Sequence, residues 1–134
     1  MITSNYRAVI LDASALMAFL SEEIGADVVK KLLSIAVMSS VNVAEVAKFL
    51  IDNKNIDKNK AKELIEHLIS ESFAFDNTQA FSTAELTIQT KKYGLSLADR
   101  ACLALALRTG YPIYTADKVW KKLEITNVDI HLIR

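Results

Sequence analysis

One predicted helix near the C-terminal end of the chain is apolar around almost its whole circumference. Residues 101–107 read ACLALAL, without a single polar side chain. A helix with this pattern has to be covered by other elements on most of its sides. Ser96 can cap its start, Asp99 follows in the first turn, and Gly110 ends it. The sequence therefore predicts a central, buried helix from Ser96 to Gly110.

Short apolar runs typical of strands alternate with helical patterns along the rest of the chain. The predicted strands are residues 8–11, 34–38, 73–75, 113–115 and 128–133. Strands separated by helices require a parallel sheet with helices on both faces. We expect an α/β fold, a three-layer α/β/α sandwich. A length of 134 residues suits one domain, residues 1–134.

The predicted helices have chemical start and stop signals. Asn42 with Glu45 forms an N-x-x-E capping pattern, and Asp57 or Asn59 can start the next helix. A further helix is predicted from Thr78 to Gly94. The other helical patterns cover residues 13–20, 26–33 and 119–123.

The composition excludes several classes of protein. Sixteen basic and sixteen acidic side chains give a formal net charge of zero, so contact with nucleic acid would need a local cationic patch. The single cysteine, Cys102, fits a reducing compartment. Residues 8–20 are interrupted by Asp12, unlike a signal peptide, and no apolar run approaches the ~20 residues of a membrane-spanning helix. We expect a cytoplasmic protein without a membrane partner.

Four acidic residues come from four separate elements of the predicted sheet. Asp12 ends the first strand, Asp117 follows the fourth, and Glu45 and Asp99 lie in the first turns of helices. Each one alone is explained by helix capping. However, the carboxyl ends of parallel strands and the starts of the following helices share one edge. We therefore expect the four carboxylates to converge.

Converging carboxylates repel each other unless a cation lies between them. Carboxylate oxygens select Mg²⁺ or Mn²⁺, whereas one cysteine and two distant histidines, His67 and His131, argue against zinc. Such an ion activates water for attack on a phosphodiester, without a side-chain nucleophile. The hydroxyls of Ser14 and Thr115 could orient the carboxylates or bind water or substrate, but local turn hydrogen bonds explain them equally well.

Several cations could provide the local patch, although most of them fit an ordinary solvated surface equally well. Arg100 adjoins Asp99, so it could bind a scissile phosphate, a partner's carboxylate or the neighbours of Asp99. The remaining candidates are Lys48, Lys91, Lys92, Lys118, Lys121 and Lys122.

Four segments together resemble the successive acidic motifs of the PIN-domain ribonucleases, particularly the VapC-type toxins of toxin-antitoxin pairs. They are VILDASAL at residues 9–16, SSVNVAEV at 39–46, GLSLADRACLALAL at 94–107 and YTADKVWKKL at 114–123. The resemblance spans essentially the whole chain and has the four motifs in the family's order. Trp120 departs from it, because many relatives have phenylalanine there.

This resemblance implies a PIN-like, Rossmann-like fold and a Mg²⁺- or Mn²⁺-dependent endoribonuclease. Asp12, Glu45, Asp99 and Asp117 would be its catalytic and metal-binding acids, with Ser14 and Thr115 in supporting positions. It also implies a homodimer, a structured RNA substrate of the tRNA or rRNA class, and inhibition by a small antitoxin protein.

Two other classes of function remain open from the sequence. A phosphatase with an aspartyl nucleophile usually has a second acid two residues after the first, where this chain has Ser14. A larger flap-type nuclease would need helical insertions that this chain lacks. A catalytically silent PIN-like module would bind protein or RNA with the same affinity in the presence of a chelator.

The sequence predicts that Asp99→Asn abolishes RNA cleavage while preserving the fold, because it removes a metal-ligating charge with little change in volume. Cleavage of RNA at matched metal concentration, with circular dichroism to check folding, tests this. Retained activity would contradict the role of Asp99.

Overall fold

The computed structural model describes residues 7–134 and contains a five-stranded, fully parallel sheet. The strand order is β3-β2-β1-β4-β5, so β1 lies in the centre, where Ile10 pairs with Val37 on one side and with Ile113 on the other. The predicted parallel sheet is confirmed. The strands are β1 (Val9–Leu11), β2 (Ala36–Ser39), β3 (Glu71–Phe73), β4 (Ile113–Thr115) and β5 (Ile130–Leu132).

α-Helices connect the first four strands in sequence, with 3₁₀ turns also contributing between β1 and β2 and between β3 and β4, whereas β4 is joined to β5 by a 3₁₀ turn alone. The α-helices are α1 (Ala13–Leu20), α2 (Ala26–Leu32), α3 (Ser40–Lys54), α4 (Lys58–Leu68), α5 (Asn77–Glu85), α6 (Thr87–Thr90) and α7 (Leu97–Thr109). The 3₁₀ turns are Leu33–Ile35, Lys91–Tyr93 and Lys118–Lys122. Between residues 7 and 134, no helix is both long and apolar enough to cross a membrane.

The core is divided by the sheet into two apolar clusters. Alternation along β1 sends Ile10 into one cluster and Leu11 into the other, as expected for a strand covered on both faces. The Leu11 cluster includes Leu16 of α1 and Val46 of α3, whereas the Ile10 cluster includes Leu103 of α7. The predicted three-layer sandwich is confirmed.

Helix α7 is the buried central helix that the sequence predicts. Ser96 caps it in a capping box with Asp99, and Gly110 ends it in a left-handed conformation with φ of 77°. Within the apolar run, the side chains of residues 101–106 are buried and only Leu107 is exposed. Both predicted boundaries and their chemical causes are confirmed.

Some predicted boundaries are wrong. Helix α3 is capped by Ser39 and not by Asn42, which lies inside the first turn. The predicted helix from Thr78 to Gly94 starts after the cap Asp76 and is interrupted at Leu86, where α5 gives way to α6 and a 3₁₀ turn. The helix predicted at 119–123 is a 3₁₀ turn.

The predicted strands are shifted or shortened at the sheet's edges. The second strand begins at Ala36 because the residues before it form a 3₁₀ turn, and the third ends at Phe73 instead of beginning there. The last strand is limited to Ile130–Leu132. Asp57, rather than Asn59, caps α4. The sequence predicts which segments form strands better than it predicts where each strand ends, because strand ends depend on pairing with neighbouring strands.

The C-terminal end of the chain packs against the corner between α1 and α2. Gly25 adopts a φ of 100°, and a Cβ atom placed on it would lie 2.8 Å from two side-chain carbons of Ile133 and 2.9 Å from its carbonyl oxygen. Arg134 Nη1 donates to Glu23 Oε1 at 3.0 Å and to the Ile24 carbonyl at 3.2 Å. The corner therefore requires glycine for two reasons, its backbone conformation and the contact with Ile133.

Replacing Gly25 by alanine is expected to destabilise the protein more than replacing Gly110. Gly110→Ala carries only the conformational cost of a left-handed non-glycine residue, about 1–2 kcal/mol, because no atom lies within 4 Å of the added Cβ. Gly25→Ala adds an overpacking cost of about 1–3 kcal/mol against Ile133. Urea unfolding of both variants measures the difference, and equal losses would contradict the packing argument.

Candidate active site

Asp12 lies at the carboxyl end of the central strand, where it caps helix α1. Its Oδ1 accepts a hydrogen bond from the backbone N–H of Ala15 at 2.9 Å. The Ser14 hydroxyl lies 2.8 and 2.9 Å from the two carboxylate oxygens, and Thr115 Oγ1 donates to Oδ2 at 2.6 Å. The residue is only 4% exposed. The carboxylate is therefore buried and fixed in orientation by three residues.

The two hydroxyls also join β1 to the end of β4. Ser14 Oγ accepts from the backbone N–H of Ala116 at 3.0 Å, and Thr115 Oγ1 accepts from that of Asp117 at 3.1 Å. The two hydroxyl oxygens lie 3.2 Å apart. A continuous network of hydrogen bonds thus holds the ends of two neighbouring strands around the Asp12 carboxylate.

Burial raises the pKa of Asp12 from 3.8 to about 6. The hydrogen bonds from Thr115, Ala15 and Ser14 lower it, and the negative charge of Asp99 raises it further. Burial exceeds the effect of the hydrogen bonds. Asp12 therefore retains a carboxylate at neutral pH at a cost in free energy, and a nearby cation would relieve that cost.

Glu45 and Asp99 act on the same region. Asp99 Oδ2 accepts from the backbone N–H of Ser96 at 2.9 Å, while Ser96 Oγ accepts from that of Asp99 at 3.1 Å, which fixes the carboxylate at the start of α7. Burial raises the pKa of Glu45, the charge of Asp99 raises it further, and Lys48 lowers it. Asp99 is thus close enough to act electrostatically on both Asp12 and Glu45.

The buried thiol of Cys102 lies within electrostatic range of all three acids. Burial raises its pKa well above the ordinary value, and the charges of Asp12, Asp99 and Glu45 each raise it further. A thiol in this setting remains protonated and packs as a small apolar group. The structure therefore brings together Asp12, Glu45 and Asp99, which we call the acidic group.

Asp117 is linked to the acidic group through the Thr115 hydroxyl, which accepts from its backbone N–H. Its own side chain is directed to the following 3₁₀ turn, where Oδ1 accepts from the N–H of Val119 at 3.0 Å. The residue is exposed. Asp117 lies at the expected edge of the sheet, but its carboxylate is not among the charges that act on Asp12 or Glu45.

Two members of the acidic group also cap helices. Asp12 is the N-cap of α1, and Asp99 completes the capping box of α7. Glu45 is different, because α3 starts at Ser40 and Glu45 is its sixth residue. The expectation that Glu45 lies in a first turn and completes a capping pattern is wrong. Its position therefore owes nothing to capping.

The acidic group fits a partly hydrated divalent ion rather than a cage of protein ligands. Among residues 7–134, no three His, Cys, Asp or Glu side chains lie close enough to form a ready-made ligand set. Mg²⁺ usually binds through one or two carboxylates and keeps several waters. Oxygen donors at Asp12 and Asp99, in a region of mutually repelling charge, match that preference.

Arg100 contacts the loop that precedes Asp99's helix. Its Nη1 donates to the carbonyl oxygen of Leu95 at 2.8 Å, and its Nε is buried without a hydrogen-bond partner among the described residues. Of the three alternatives left by the sequence, the structure shows the contact with neighbours of Asp99.

The candidate lysines lie at the surface. Lys121 Nζ donates to the Ile130 carbonyl at 2.8 Å. The other candidate lysines are exposed: Lys48, Lys91, Lys92, Lys118 and Lys122.

Asn42 is a residue beside the acidic group that sequence reasoning assigned to a different role. It is 1% exposed, and its Nδ2 donates to the carbonyl oxygen of Ala98 at 2.9 Å. The bond joins the first turns of α3 and α7. One signal for this role is present in the sequence, a polar amide among apolar residues three positions before Glu45. Helix capping explained that amide equally well.

Comparisons with known proteins agree with this architecture. The family model described as PIN domain matches residues 9–125. A DNA-bound VapBC structure from Salmonella typhimurium is 16% identical, with a TM-score of 0.70 over 95% of this chain and 98% of that chain. VapBC-5 from Mycobacterium tuberculosis is 21% identical, with a TM-score of 0.61 over 96% and 98%. These similarities show the fold. A search of curated protein sequences found no match.

The raised pKa of Asp12 predicts a pH-dependent stability in the metal-free protein. Because the folded protein binds a proton at Asp12 more readily than the unfolded chain, the free energy of unfolding falls as the pH rises from about 4 to about 6. The change from 3.8 to about 6 corresponds to about 3 kcal/mol. Urea unfolding in EDTA measures it, with Asp12→Asn as the control that lacks this ionisation. Parallel pH profiles for both proteins would contradict the argument.

Proposed function

Because the chain belongs to the PIN-domain family, we propose that it is a Mg²⁺- or Mn²⁺-dependent endoribonuclease. PIN domains are typically metal-dependent nucleases. The observation that supports this activity most strongly is the convergence of Asp12, Glu45 and Asp99 at the carboxyl edge of the sheet, around a carboxylate with a pKa of about 6. Such an arrangement is typical of functional sites.

In the proposed site, Asp12 and Asp99 hold the ion and Glu45 completes the negative environment. A bound divalent ion would polarise a phosphate oxygen and promote ionisation of a water. Ser14 and Thr115 hydrogen-bond to the oxygens of Asp12 and so fix the orientation of its carboxylate before an ion binds. The capping box fixes Asp99 in the same way. These restraints preorganise the carboxylates at the place where phosphate has to bind.

We assign Asp117 to the same site from its position after β4, as the fourth acid. Its exposed carboxylate is suited to water or substrate more than to the buried side of the ion. The Thr115 hydroxyl accepts from the Asp117 N–H and donates to Asp12, so it would fix the backbone of Asp117 relative to the Asp12 carboxylate. Lys48, which acts electrostatically on Glu45, is placed to attract an RNA phosphate near the acids.

We further propose that the protein is the toxin component of a toxin-antitoxin pair. The structural relatives support this, because they are VapBC complexes and a toxin-antitoxin complex from Klebsiella pneumoniae. On this proposal a small antitoxin protein is the partner, a structured RNA of the tRNA or rRNA class is the substrate, and the active form is a homodimer. The free buried thiol of Cys102 is consistent with action in the cytoplasm.

A catalytically silent RNA- or protein-binding module is the second candidate. It is favoured by one observation, the lack of a ready-made set of three metal ligands in residues 7–134. A binding module would retain RNA equally well in EDTA, whereas a metal-dependent nuclease requires the ion for turnover. The two candidates therefore differ in a property that one assay measures.

Purified protein is expected to cut total RNA into discrete fragments in Mg²⁺ or Mn²⁺ and to leave it intact in EDTA. Asp12→Asn should lower the cleavage rate more than about a hundredfold, since residues that only orient metal ligands already contribute about tenfold to a hundredfold. Gel analysis of the fragments measures both effects.

Asp57→Asn is the matched control for this experiment. It makes the same acid-to-amide change at an N-cap, the cap of α4, where asparagine caps as well as aspartate does. It should cut RNA at the wild-type rate. Intact RNA with folded, partner-free wild-type protein in both metals would favour the binding module, and equal loss in Asp57→Asn would show a non-specific effect.

A further inference from the structure

The side chain of Asn42 is a buried polar group between α3, which carries Glu45, and α7, which carries Asp99. It is 1% exposed, in a part of α3 whose neighbours Val43 and Val46 pack into the apolar core. Burying an amide is unfavourable unless it forms hydrogen bonds. Its Nδ2 donates to the carbonyl oxygen of Ala98 at 2.9 Å, which is a good geometry for such a bond.

On α3, this hydrogen bond restrains the part of the helix that carries Glu45. Residues three apart on a helix share one face, so Asn42 and Glu45 are neighbours along the side of α3 that meets α7. The helix start is also anchored at Ser40, whose hydroxyl accepts from the backbone N–H of Phe75 at 3.1 Å. The bond from Asn42 links the same part of α3 to α7.

On α7, the acceptor carbonyl belongs to the residue immediately before Asp99. Ala98 and Asp99 both lie inside the capping box that Ser96 starts, so their backbone is already well fixed relative to each other. The hydrogen bond from Asn42 therefore connects two rigid first turns. It restrains the turn that carries Asp99 against the helix that carries Glu45, and the charge of Asp99 acts on Glu45.

We propose that Asn42 is a positioning residue that sets the spacing of Glu45 and Asp99 and thereby the affinity of the acidic group for a divalent ion. This inference rests on the proposed metal-dependent function. Asn42 contacts neither ion nor substrate in it, and acts only through the backbone of Ala98. Residues that orient metal ligands in this indirect way change metal affinity about tenfold to a hundredfold when they are replaced.

A merely structural role for Asn42 makes a different prediction, and Thr90 provides the matched control. Thr90 is also fully buried, and its hydroxyl donates to a backbone carbonyl, that of Leu86, at 2.8 Å. Its bond runs from the last residue of α6 to Leu86, which precedes that helix, and does not join the elements that carry the acids. Thr90→Val therefore removes a comparable buried hydrogen bond without changing the spacing of Glu45 and Asp99.

The test is calorimetric titration of the purified, RNA-free proteins with Mn²⁺ alone. We expect Asn42→Ala to bind Mn²⁺ about tenfold to a hundredfold more weakly than wild type, and Thr90→Val to bind it with wild-type affinity. Asn42→Leu preserves more of the side-chain volume in the core and should fold even if the alanine variant does not. It should show the same loss of Mn²⁺ affinity, because it too lacks the donor.

The outcomes separate the two proposals. Wild-type Mn²⁺ affinity in a folded Asn42→Ala or Asn42→Leu would overturn the positioning role and leave the proposed function intact. An equal loss in Thr90→Val would also overturn it, since general destabilisation would then explain the effect. Wild-type protein that binds no Mn²⁺ would instead overturn the metal-dependent function on which the inference rests.

Discussion

The burial of one carboxylate, that of Asp12, is the constraint on which the site depends. A central strand of a parallel sheet is covered on both faces, so the residue that ends it is almost inevitably withdrawn from water. Here it is 4% exposed and surrounded by donors from Ser14, Ala15 and Thr115. Those donors bring β1, α1 and β4 together at one point. They do not offset the full cost of burial, which leaves the pKa at about 6 and creates a site that favours a cation.

The same hydrogen bonds serve folding and the proposed chemistry. Asp12 caps α1 and Asp99 completes the capping box of α7, so each carboxylate is fixed by a contact that also stabilises a helix end. Glu45 has no such anchor; it is exposed on α3, three residues after Asn42, whose side chain donates to the Ala98 carbonyl of α7. Repulsion within the acidic group acts against stability in the absence of metal. Proteins commonly accept such a cost where function requires it.

Much of this arrangement was predictable from sequence because local chemistry determines it. The all-round apolar pattern of residues 101–107, with Ser96 and Gly110 as its boundaries, led directly to the buried helix α7. The convergence of Asp12 and Asp99 followed from parallel topology alone. The start of α3 was mispredicted because Asn42 and Ser39 are both good caps, and only the tertiary contact with Ala98 decides between them. The break at Leu86 and the ends of the edge strands likewise depend on packing that a local pattern does not encode.

Diffraction from crystals grown with Mn²⁺ tests the central claim most directly, that the acidic group is a divalent-metal site. The account predicts an anomalous peak within coordination distance of carboxylate oxygens of Asp12 and Asp99, with Glu45 nearby and waters completing the coordination. The peak should be lost in Asp12→Asn. Absence of any peak there at saturating Mn²⁺, or a peak elsewhere that persists in Asp12→Asn, would contradict the account.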